Sequence, residues 1–140
     1  MAKHRKIAIA VAAATLATLS IGASAAGRGA VKLDNSYSFK FSGHGGTAYS
    51  SAATKKNSNS FAEYVASGGS VDDNAYVTIF VTSEKSLSSQ VSESDTITVI
   101  NGTSKNSLSY NSPAPGYGTR NYLCALGSYY GASVSGTWNP

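Results

Sequence analysis

Residues 26–140 hold one histidine, His44, set in Gly43-His44-Gly45-Gly46. A Ser-His-Asp relay would need that imidazole beside a serine and a carboxylate. Serines are abundant and Asp72 could supply the acid, but no G-x-S-x-G turn frames a serine. A histidine between glycines reads instead as an exposed loop residue. The glycines are not a phosphate loop, because G-x-x-x-x-G-K-[ST] is absent. The acidic pairs are Asp72-Asp73 and Glu93-Ser94-Asp95. The EF-hand pattern is missing, and Asp72-Asp73-Asn74 fits a turn before a strand. No cofactor and no metal site are expected. The sole cysteine, Cys124, cannot close an internal disulfide. It is expected as a small buried hydrophobe on a strand, with an intermolecular disulfide or a reactive thiol as the alternatives. The best binding chemistry is aromatic. Tyr117, Tyr129 and Tyr130 border glycines in loops, where a ring can stack on a sugar or enter a partner's interface. Tyr122 and Trp138 are expected to complete a core.

The elements that would hold these side chains begin after a leader. Lys3, Arg5 and Lys6 precede a charge-free apolar run over Ile7–Ile21, closed by Gly22-Ala23-Ser24-Ala25-Ala26. That order is the order of a secretory signal peptide with an A-x-A cleavage site. The apolar run falls short of the roughly 20 residues that span a bilayer. Cleavage is expected after Ala25, with Ala26 as the alternative. Residues 1–25 are then a cleaved signal helix and residues 26–140 a single secreted, extracellular β domain. Membrane contact is expected only through the signal peptide before cleavage. Residues 26–140 carry eight Lys and Arg against seven Asp and Glu, a net charge of +1. The basic character of the whole chain therefore belongs to the leader. No broad positive field remains to bind nucleic acid.

Leu, Ile, Val and Phe number 20 of these 115 residues, so the nine tyrosines and one tryptophan must supply core volume. Ser36 to Ser42 alternates Tyr37, Phe39 and Phe41 with small polar residues and lysine, the pattern of a half-buried strand. Thr47 to Ser51 is a short polar strand within a long connection, and Lys55-Lys56 reads as a solvated tip. Phe61 to Ala66 is a strand ended by Ser67-Gly68-Gly69-Ser70. Ala75 to Thr82 is β-branched and aromatic throughout, which predicts a central strand apolar on both faces. Leu87 to Val91 and Thr96 to Ile100 are further strands. Asn101-Gly102 then predicts a hairpin returning over Thr103 to Tyr110. The N-x-T match at Asn101 is ascribed to that turn rather than to glycosylation. Tyr122 to Leu126 and Ala132 to Trp138 complete the set, with Val134 and Trp138 on one face. The expected fold is all-β: a small antiparallel β-sandwich or barrel of six to eight strands.

Four stretches resemble a family of small exported proteins of Gram-positive bacteria whose function is not known. They are the leader, Tyr37-Ser38-Phe39-Lys40-Phe41, Ala48-Tyr49-Ser50-Ser51-Ala52, and the V-S-G-x-W-x-P ending Val134-Ser135-Gly136-Thr137-Trp138-Asn139-Pro140. The resemblance implies a secreted bacterial β protein and carries over no catalytic residue. The Tyr/Ser/Gly-rich composition has a looser likeness to bacteriocins of the lactococcin 972 type. The function expected is a non-enzymatic binding or interaction domain acting at or near a cell envelope, with a cell-wall or cell-surface component as its partner. A secreted bacteriocin-like toxin is the alternative. A small secreted hydrolase using His44 is the third reading.

Overall fold

The Tyr37-x-Phe39-x-Phe41 alternation forms strand β1, Asn35–Ser42, with the three rings buried and Ser36, Ser38, Lys40 and Ser42 exposed. The computed structural model describes residues 33–100, 102 and 105–140. The leader over residues 1–25 and the cleavage site at Ala25 and Ala26 lie outside the described residues.

Among the described residues nine strands make two antiparallel sheets. The other strands are β2 (Gly46–Tyr49), β3 (Ala53–Thr54), β4 (Phe61–Val71), β5 (Val77–Thr82), β6 (Asp95–Ile97), β7 (Asn106–Ser109), β8 (Arg120–Gly127) and β9 (Gly131–Asn139). The first sheet runs β1-β9-β4-β7, and the second β2-β8-β5-β6 with β3 also on β8. The sheets face each other as a sandwich and do not close into a barrel. Trp138, Tyr64, Phe39, Ile79, Leu108 and Leu123 fill the space between them. Burial of rings this large supplies most of the drive to fold in a chain poor in aliphatics.

The central-strand expectation holds for β5. Val77, Ile79 and Val81 enter the core, while Phe80 and Thr82 are buried on the opposite face. That outer face is a row in register: Tyr49 on β2 pairs with Cys124 on β8, which pairs with Phe80. Tyr122 pairs with Thr82 and shares this face. Tyr122 is therefore outside the core, with the Lys85 ammonium 5.7 Å from its ring centroid, whereas Trp138 is fully buried in it.

Four expectations change. β4 does not stop at Ser67-Gly68-Gly69-Ser70 but runs to Val71. A register shift between Ala66 and Gly68, with Gly69 at φ +111°, keeps the chain paired with β9 through the glycines. Leu87 to Val91 is not a strand: Leu87–Ser89 is a 3-10 turn. The Ser89 hydroxyl accepts the Glu84 N–H and lies 2.7 Å from the Ser86 carbonyl, so local bonds replace a ladder. Thr96 to Ile100 shortens to Asp95–Ile97, because Ile97 pairs with Val77, the first residue of β5. Beyond it the Tyr76 backbone is bound by Ser128, leaving Thr98 and Val99 without a partner strand. Finally, β6 pairs with β5 and β7 with β4, so the segment between them crosses from one sheet to the other and is no hairpin. Asn101 and Thr103 of the N-x-T match lie outside the described residues.

Candidate binding surface

Three loops meet at one end of the sandwich. Gly43–Gly45 joins β1 to β2, Asp72–Tyr76 joins β4 to β5, and Ser128–Tyr130 joins β8 to β9. Backbone bonds tie them together. His44 N–H donates to the Tyr129 carbonyl (2.8 Å) and Gly45 N–H to the Ser128 carbonyl (3.1 Å). Asp72 N–H donates to the Gly131 carbonyl (3.2 Å), and Ser128 N–H to the Tyr76 carbonyl (3.0 Å). The Ser128 hydroxyl accepts the Tyr76 N–H at 2.9 Å.

The local sequence explains this geometry. His44 stands at φ +65° between Gly43 at +100° and Gly45 at +75°, a left-handed run that glycine-rich sequence permits. The His44 and Gly45 N–H groups are spent on carbonyls and are not turned to an anion. Asn74 at φ +64° and the Ala75 N–H to Asp72 carbonyl bond (2.8 Å) make the second loop the turn that Asp72-Asp73-Asn74 predicts.

The outcome is an aromatic end. Tyr129 is 68% exposed and Tyr130 51%. The His44 ring meets Tyr129 edge to face with centroids 5.1 Å apart, and Tyr129 meets Tyr130 the same way at 6.2 Å. These contacts hold the rings before any ligand arrives, which lowers the ordering cost of binding. Tyr76, also exposed, enters through the adjoining loop. Composition marked it only as part of a strand, and nothing local separated it from the buried residues that follow. Asp72 adds a carboxylate: its Oδ2 lies 2.8 Å from where a Gly131 Cβ would stand, one residue from Tyr130. Exposed rings beside a carboxylate can stack on a pyranose while the carboxylate accepts hydrogen bonds from its hydroxyls. The His44 imidazole makes no hydrogen bond among the described residues, to a serine, an acid or any other group.

Tyr117 does not join this group. It precedes β8, whereas Tyr129 and Tyr130 follow it. The seven steps of that strand put roughly 23 Å between the two ends. Tyr117 is exposed in a loop held to the Lys55 segment, where Gly118 N–H donates to the Lys55 carbonyl (2.8 Å) and Lys55 N–H to Thr119 (2.9 Å).

Lys55 itself reverses the expectation of a solvated tip, since only Lys56 is exposed. The Lys55 ammonium is buried, donates to the Asn59 carbonyl (2.7 Å) and Asn57 Oδ1 (3.1 Å), and sits 4.6 Å from the Tyr110 ring centroid. Burial without a carboxylate lowers its pKa from the ordinary value. Cys124 is fully buried, as expected of a small hydrophobe, and burial pushes its thiol up to about 11. Among the described residues no three His, Cys, Asp or Glu side chains are grouped to hold a metal, and no helix is long and apolar enough to cross a membrane. No protein-family model, no curated protein sequence and no solved structure matches the chain.

Proposed function

We propose that the protein is a non-enzymatic binding domain acting at or near a cell envelope, and that its aromatic end is the surface that binds. The partner is a sugar-bearing component of the cell wall or cell surface. The observation that carries this reading is the exposure of Tyr129 and Tyr130 side by side, braced by His44, on a sandwich whose other large rings, Tyr76 and Tyr117 apart, are buried or half-buried. Exposed aromatic clusters on loops above a rigid scaffold are characteristic of contact surfaces. The Asp72 carboxylate at their margin supplies the acceptor that a polyhydroxylated ligand needs. Export through the leader would deliver such a domain to its ligand.

Cosedimentation with isolated Gram-positive cell wall tests the reading. The protein is expected in the pellet, and Tyr129→Ala with Tyr130→Ala is expected to return it to the supernatant. Both side chains are exposed, so the double variant should unfold at the same denaturant midpoint. Equal pelleting of the wild type and the double variant would remove the aromatic end as the contact surface.

A further inference from the structure

A second site opens on the other flank of the sandwich, between β4 and β6. It is a cleft of about 550 Å³ with Tyr64, Ala66, Asp95, Ile97, Val99 and Ile100 among its walls. It lies within the size range of small-ligand pockets. Its one ionised group is Asp95. Asp95 and Ile97 are two apart on β6 and share the face that looks between the sheets. The carboxylate is held from both sides: Tyr64 Oη donates to Oδ2 at 2.5 Å, and the Thr96 N–H donates to Oδ1 at 2.8 Å. Tyr64 is itself fully buried, so this anchor is part of the core.

Among the described residues no lysine, arginine or histidine forms an ion pair with Asp95; the described ion pair joins Lys105 to Glu63. Two acceptor positions of the carboxylate are filled and about two remain. The rest of the wall is mixed: Ala66, Ile97, Val99 and Ile100 form an aliphatic stretch beside the polar Thr96, Thr98 and Asn106, and Val99 stands 75% exposed at the margin. A carboxylate held in place with no counter-charge among the described residues, beside the aliphatic stretch of Ile97, Val99 and Ile100, selects against anions. It favours a ligand that brings its own positive charge on an apolar body. We propose that this cleft binds small amphiphilic amines, with the protonated nitrogen on the Asp95 carboxylate and the hydrocarbon part against Ile97, Val99 and Ile100. The site is independent of the aromatic end.

Three probes of equal chain length test it: hexylammonium, hexanol and hexanoate, titrated into the ¹⁵N-labelled protein. Hexylammonium is expected to shift the amides of Thr96, Thr98 and Asn106, which line the cleft. Hexanol should bind at least tenfold more weakly, and hexanoate should leave these amides unmoved. Asp95→Asn keeps an acceptor for Tyr64 and should bring hexylammonium down to the level of hexanol. Val99→Ser changes an exposed side chain, so it should leave the fold intact and weaken hexylammonium severalfold. Equal binding of amine and alcohol would overturn the proposal, as would amide shifts confined to other surfaces or no shifts at all. If Asp95→Asn fails to fold, retained full affinity in Val99→Ser would count against the site.

Discussion

Lys55 and Cys124 show how little a residue's type says about its surroundings. Lys55 stands beside Lys56 in a polar stretch, yet its ammonium is enclosed by Asn57, Asn59 and the face of Tyr110. Neutral partners that cap a charge leave no mark in sequence of the kind a nearby acid would. Because its pKa is lowered in the fold, the unfolded chain holds more protons between that lowered value and the ordinary 10.5. Stability therefore rises with pH through that window. Cys124 and the buried tyrosines titrate in the opposite sense, so the Lys55 contribution is read as a difference: the urea midpoint of the wild type is expected to fall less between pH 7 and 10 than that of Lys55→Met. Cys124 was the readable case, since free cysteine is a habitual core residue. With no exposed surface and a thiol pushed up to about 11, it should not react with a thiol reagent at pH 8 until the protein is unfolded. Rapid labelling of the native protein would contradict the burial.

At the scale of elements, a strand was legible where its own residues decide its faces. β1 alternates and β5 is apolar on both sides, and both lie where their patterns place them. β4 and β6 were legible as strands but not in their bounds, because their ends are set by partners. β4 continues through two glycines since β9 runs alongside it, and β6 stops where β5 begins. Another glycine marks a close approach. Tyr37 on β1 pairs with Gly136 on β9, and its hydroxyl donates to the Val65 carbonyl at 2.9 Å on β4. A Cβ at Gly136 would meet that carbonyl oxygen at 1.8 Å and the Tyr37 hydroxyl at 3.1 Å. Gly136→Ala must spread three strands and is expected to cost about 2 kcal/mol or more of stability, read from the shift in denaturant midpoint. An unchanged midpoint would show that the sheet yields at this crossing.

At the scale of the whole molecule, the sandwich replaces scarce aliphatic volume with tyrosine. Tyr37, Tyr64 and Tyr110 are each held protonated well above the ordinary 10.0, chiefly by burial. Above pH 10 the unfolded chain releases these protons while the native state keeps them, so stability falls as pH rises. Three such groups give a limiting slope of about 4 kcal/mol per pH unit. Alkaline unfolding should therefore be steep, and Tyr37→Phe should lower its slope by about a third. Topology at this scale also decides the binding surface. Tyr117, Tyr129 and Tyr130 look alike in sequence, each in a loop with a glycine within two residues. Only the run of β8 assigns Tyr117 to one end and the other two to the opposite end. His44 reads as a loop histidine from its glycine neighbours, but its place against Tyr129 depends on which loops the two sheets bring together.

The most direct test of the account separates those two ends. Soluble cell-wall glycan fragments would be titrated calorimetrically into the wild type, Tyr129→Ala, Tyr130→Ala and Tyr117→Ala. The account predicts binding to the wild type, a loss of at least tenfold in each of the first two variants, and wild-type affinity in Tyr117→Ala. Affinity lost in Tyr117→Ala but kept in Tyr129→Ala and Tyr130→Ala would move the binding surface to the other end, and no binding by the wild type would contradict the central claim.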